Sequence, residues 1–122
     1  MKKIKSFEDA CNALGILEIV PDFSTFPEKY RSAMYAHYKL MIITEALNEG
    51  WTPNWDEWEE RKYYPWFDMR SSASGGFSFD GYGTRGTFSD VGSRLCFKNR
   101  ELAEYAGEQF VELYKEYFVL NK

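Results

Sequence analysis

From Pro27 to Gly50 nothing in the chain interrupts a helix, and Tyr30, Met34, His37 and Met41 recur along it at steps of three and four. Ala33, Leu40, Ile43 and Leu47 widen that stripe into a broad apolar face, with the semi-polar Thr44 next in line. Ser24 or Thr25 can cap the start, Pro27 and Glu28 suit a first turn, and Gly50 has the character of a terminating residue. A helix this long with so wide an apolar face must be central, and the 122 residues of the chain leave room for one domain built around it. His37, the only histidine, lies in this stripe and is expected to be a packed, hydrogen-bonded core residue.

The flanking segments supply partners for that helix. Ser6 and Asp9 form a capping-box pattern ahead of Phe7, Ala10, Cys11 and Leu14, and Gly15 ends a short first helix. A connector through Pro21 follows. All four tryptophans fall in sixteen residues, Trp51, Trp55, Trp58 and Trp66. The first three sit in an acidic stretch where Asn54 can cap one or two helical turns, the alternative being an irregular aromatic loop.

From residue 63 to 98 period-two alternation appears three times, predicting strands over Tyr63–Arg70, Gly76–Tyr82 and Gly92–Lys98. The joining stretches are Ser71–Gly75 and Gly83–Asp90, and Pro65 assigns the first strand to an edge or a bulge. Asn99 then caps one last helix carrying Leu102, Tyr105, Ala106, Gln109, Phe110, Leu113, Tyr117 and Phe118 on one face. Gly107 inside it signals close packing against another element. The expected fold is α+β, with helices packed on one face of a three-stranded antiparallel β-meander in the order helix, helix, sheet, helix, as a single domain over residues 1–122.

Composition excludes several classes. An aromatic share of 19% with 44% hydrophobic residues is that of a chain with a packed core, not a disordered one. Cys11 and Cys96 stand far apart, outside any zinc spacing, and are expected as reduced thiols. No window approaches a membrane span, and the Lys-rich start leads into Phe-Glu-Asp-Ala rather than an apolar run, so a cytoplasmic location is expected. No metal or cofactor motif is present.

Charge is unevenly distributed. Residues 1–60 hold six Lys/Arg against eleven Asp/Glu, residues 61–100 seven against three, and residues 101–122 two against five. The middle is therefore basic between acidic flanks. Alternation places Phe77, Phe79, Leu95, Phe97, Tyr63, Phe67 and Met69 toward the helices and leaves Tyr64, Trp66, Arg70, Tyr82, Arg94 and Lys98 on the open sheet face. Rings interleaved with cations suit single-stranded nucleic acid, whose bases stack while phosphates meet the cations. The same residues suit a protein partner, or a second copy of the chain. The enzymatic alternative centres on Asp68, Asp80 and Cys96, none of which has a visible catalytic partner.

Lys62-Tyr-Tyr-Pro-Trp-Phe-Asp-Met69, Gly76-Phe-Ser-Phe79 and Val91-Gly-Ser-Arg-Leu-Cys-Phe-Lys98 with Glu101-Leu-Ala-Glu-Tyr-Ala-Gly107 and Gln109-Phe110 carry a resemblance. Over about residues 50–118 the chain is similar to a family of short uncharacterised proteins from gut bacteria and their phages and mobile elements. The resemblance implies an accessory role, contact with nucleic acid or another protein, and assigns no catalytic or binding residues.

Overall fold

Two of the four described helices begin on a side chain that accepts from one of their first amides, Ser6 and Asn99. The computed structural model describes residues 4–70 and 76–120. The Ser6 hydroxyl accepts from the Asp9 amide to start α1 (Phe7–Leu14), and Gly15 closes it at φ 70° in the left-handed region. The Asp9 carboxylate takes the Lys5 amide at 2.9 Å, completing a variant of the expected capping box.

The long helix α2 runs from Glu28 to Asn48. Its start differs from expectation: Pro27 is the cap residue, while Ser24 and Phe26 are engaged in turns over Asp22 and Phe23. Its end comes one residue earlier than Gly50, because Glu49 already adopts φ 50° and bonds back to Ala46. Leu40, Ile43 and Leu47 are buried as the stripe predicts, Ala33, Met34, His37 and Met41 are half-buried, Tyr30 is exposed, and Ala36, outside the stripe, is buried as well.

Two strands, β1 (Lys62–Asp68) and β2 (Ser78–Arg85), pair antiparallel. The expected connection Ser71–Gly75 lies outside the described residues. The third strand of the meander does not form; Gly92–Lys98 contributes one bridge, Tyr63 with Phe97, closed by two reciprocal backbone bonds. The reason is local. Gly92 takes φ 82° and the Leu95 amide turns back to its carbonyl, so the chain is extended only briefly before Asn99 caps the next helix. Asn48 occupies the outer side of this short stretch, donating to the Cys96 carbonyl at 3.0 Å and accepting from the Lys98 amide at 3.1 Å.

The last helix is also two. α3 (Arg100–Gln109) and α4 (Val111–Phe118) meet at Phe110, which leaves helical geometry at φ −115° and ψ 29°. That break buries Phe110 and brings Tyr114 and Phe118 onto the Phe67 ring, at 4.9 and 5.5 Å. α3 packs on both strands, α2 packs on α1 and α4, and the shared core joins Leu40, Ile43 and Leu47 to Phe97, Ala103 and Tyr114. No described helix is long and apolar enough to cross a membrane.

Gly107 is where α3 touches the sheet. A Cβ there would lie 2.4 Å from the Phe79 ring and 2.7 Å from the Pro65 Cβ. Helix propensity alone makes Gly107→Ala stabilising by ~1 kcal/mol. The closer term is the overlap with Phe79 and Pro65, and forcing a methyl into such packing costs ~1–3 kcal/mol. Urea unfolding of Gly107→Ala should therefore show a net loss of stability; a gain would mean that α3 sits further from the sheet.

Candidate functional site

The covered and open faces of the hairpin are set by a bulge. Pro65 pairs with Tyr82 and Phe67 with Phe79, so Asp80 and Gly81 together oppose the single residue Trp66, and Gly81 takes φ 96°. One extra residue inverts the alternation beyond it. Tyr82, expected outward, therefore joins the helix face, where it meets Tyr63 at 5.8 Å and lies under the Arg100 guanidinium at 5.4 Å.

On the opposite face Lys62, Tyr64 and Trp66 follow one another. Lys62 is 1% exposed, yet its ammonium is fully partnered. It donates to the carbonyls of Asn54, Glu57 (3.0 Å) and Gly86 (2.8 Å), stands 3.4 Å from the Glu60 carboxylate, and packs 5.1 Å from the Trp55 ring. Residues 51–60 consequently fold over this end of the face as an irregular loop, the alternative to the short capped helix, with turns at Asn54–Glu57 and Glu57–Glu60.

Tyr64, expected to be displayed, is 4% exposed. Its hydroxyl donates to Asp90, which also pairs with Arg85 at 3.1 Å. Burial, and then the Asp90 carboxylate, push the Tyr64 phenol above its ordinary value. Trp66 stays open at 53% exposure, its indole N–H directed at the Tyr64 hydroxyl and its ring held against Gly83, where a Cβ would come within 2.6 Å of Nε1. Trp58, 64% exposed, meets Gly86 through its backbone carbonyl and ring edge, with Arg61 5.2 Å from its ring.

The six sequence candidates thus do not share one exposed surface. Trp66 is displayed; Arg70 is exposed but doubly bonded to Asp68; Tyr64 and Tyr82 are covered for the reasons above. Lys98 is half-buried and paired with Glu49 at 3.5 Å, and Arg94 is exposed beside α2 rather than beside Trp66. Met69, expected inward, is exposed at the end of β1. Arg85, paired with Lys62 across the hairpin, shares the open face, whereas Arg61 bonds the Thr84 hydroxyl on the side of Tyr63 and lies with Trp58 at Gly86. Gly83 and Gly86 were the available signal, since each makes room for a ring.

The candidates for enzymatic chemistry lie in settings that oppose it. Cys96 is buried, its thiol 3.7 Å from the Ser93 carbonyl, and burial raises it to about 11. Asp68 is held at about 2 by the side chain and amide of Arg70. Asp80 is exposed. His37 stacks on Tyr117 at 4.4 Å between α2 and α4, and desolvation keeps its pKa below the ordinary value. Among the described residues no group of three His, Cys, Asp or Glu side chains could hold a metal ion. Comparison with protein-family models, with curated proteins and with solved structures returns no match.

Two outcomes test this geometry. Replacing Lys62 with Met leaves three carbonyls facing an apolar chain, and unsatisfied buried groups cost ~1–3 kcal/mol each. Allowing for partial rehydration of the loop, Lys62→Met should lose about 3 kcal/mol in urea unfolding and shift tryptophan emission to the red. Unchanged stability would show that the ammonium does not hold the loop. Native Cys96 should resist a disulfide-exchange reagent at pH 8 and react only at the rate of unfolding, because the thiolate is the attacking form; rapid labelling would place it at the surface.

Proposed function

We propose that this chain is a non-enzymatic binding module that engages a protein partner through the open face of its hairpin, with Trp66 as the central anchor. The observation that carries the reading is the mounting of Trp66. Its N–H is directed inward at Tyr64 and its ring lies on Gly83, so a large rigid apolar surface faces outward at little further entropic cost. The turn after β2 is tied down beside it, the Gly86 carbonyl by Lys62 and the Asp90 carboxylate by Tyr64. Rigid aromatic anchors surrounded by satisfied polar groups are the usual make-up of a protein-binding hot spot.

Single-stranded nucleic acid would use the same rings but needs cations free to meet phosphate. Of the seven basic residues from 61 to 100, five already make ion pairs: Lys62, Arg70, Arg85, Lys98 and Arg100. That neutralisation favours a protein partner with an apolar surface over a polyanion. An accessory role of this kind is also what the family resemblance implies.

Selection of a displayed peptide library on the whole protein tests the reading. Recovered peptides should lose about tenfold or more in affinity with Trp66→Ser, while the variant keeps native circular dichroism. Peptides indifferent to the substitution would refute it. So would salt-sensitive quenching of tryptophan fluorescence by single-stranded DNA or RNA, which would transfer the face to nucleic acid. Sedimentation of the same protein reports whether a second copy occupies the face.

A further inference from the structure

A second aromatic surface lies on the other side of the tryptophan loop. There the C-terminal half of α2, residues 51–55 and residues 93–94 enclose a groove of about 570 Å³, a size typical of small-molecule sites. Met41 and Ile42 line it from α2, Trp51 and Trp55 from the loop, with Glu45 and Arg94 also on its lining.

The aromatic wall is fixed before any ligand arrives. The Trp51 amide bonds the Asn48 carbonyl at 3.0 Å, which ties the ring to the end of α2. Trp55 is held by the Lys62 ammonium 5.1 Å away. The buried polar side chains of the lining are already committed: the Thr44 hydroxyl donates to Leu40 at 2.7 Å, and Asn48 is shared between Cys96 and Lys98, which leaves the small hydroxyls of Thr52 and Ser93 at the rim. What remains is one charge of each sign. Among the described residues neither Glu45 nor Arg94 makes an ion pair, in contrast to the five paired cations of the basic segment.

We infer that this groove binds a small zwitterion with a flat apolar body, of the kind represented by a free aromatic amino acid. Its carboxylate meets Arg94, whose planar guanidinium can take both oxygens, and its ammonium meets Glu45. The ring stacks against the preset indoles. Glu45 makes the site selective: a carboxylate without an amine would face it unpaired, and an amine without a carboxylate would leave Arg94 unmatched. The site is separate from the Trp66 face, so either assignment can fail without the other.

The test is titration of the whole protein, with the four indole N–H signals followed by nuclear magnetic resonance. Phenylalanine should shift Trp51 and Trp55 saturably below about 1 mM and leave Trp58 and Trp66 in place. Phenylalaninamide, 3-phenylpropionate and glycine, which lack the carboxylate, the amine and the ring, should each bind about tenfold or more weakly. Arg94→Gln should weaken phenylalanine by about tenfold, and Glu45→Gln should bring 3-phenylpropionate close to it. Both substitutions are at exposed positions, so the fold should tolerate them. No shift at Trp51 and Trp55 up to about 10 mM phenylalanine would overturn the assignment, as would equal binding of the three ring compounds or of glycine.

Discussion

The Lys62 ammonium is the contact on which the functional side of this molecule depends. A lysine taken out of water costs several kcal/mol unless all its donors find acceptors, and the three protons here meet carbonyls from three places in the chain. Two belong to the tryptophan loop and the third to the turn after β2. Because β1 begins at Lys62, its side chain points to the face that the helices leave open. Satisfying it requires the loop to come down over that end of the hairpin. The position of Trp55 against the ammonium, and of Trp58 over Gly86, follows from this closure.

Closure of one end leaves the remainder of the face to Tyr64 and Trp66, and these two divide the polar and apolar duties between them. Tyr64 turns its hydroxyl to Asp90, which Arg85 also binds, so the turn after β2 is tied down a second time. Trp66 shares the floor of Gly83 with Tyr64 and leaves its carbon surface outward. Glycine at 83 and 86 is required for space rather than for backbone freedom. A side chain at either position would lift a ring from its seat. The exposed indoles are for this reason features of a rigid frame.

Much of the frame is legible in the residues themselves. The Ser6 cap, the stripe along α2, the Asn99 cap and the close approach at Gly107 all depend on local spacing, and each is found where spacing puts it. The departures at the hairpin face share one cause, partners distant in sequence, whereas the lost third strand has a local one. Gly81 reads equally well as a turn, a strand residue or a bulge, and only pairing with β1 selects the bulge that carries Tyr82 to the helix face. Lys62 reads as surface charge until the loop carbonyls converge on it. The third strand was an inference from alternation at Leu95 and Phe97, yet alternation records only which side chains are buried. It says nothing of the Gly92 turn that shortens the segment to one bridge. For the site, Trp66 was identifiable from its strand, while Trp58, Arg85 and Asp90 gain their places through turns and side-chain bonds that no period reports.

The basic character of residues 61–100 shows how a segment's charge and a surface's field can part company. Its net charge of +4, seven cations against three acids, is partly offset once the chain folds, because Glu49, Glu60 and Glu104 come from acidic stretches outside it and Asp68 and Asp90 from within. Exposed pairs of this kind add little stability, ~0–1 kcal/mol each, but they cancel the local potential that would attract a polyanion. Around Trp66 the result is an apolar anchor with quiet surroundings, suited to a protein surface. Arg94 escapes that cancellation and lines the groove with Glu45. Two opposite charges left unpaired in one groove cannot favour a simple anion or cation, since each ligand charge must answer one and avoid the other. The tryptophan loop lies between that groove and the hairpin, and the one ammonium that fastens it holds a wall of the groove against the end of β1.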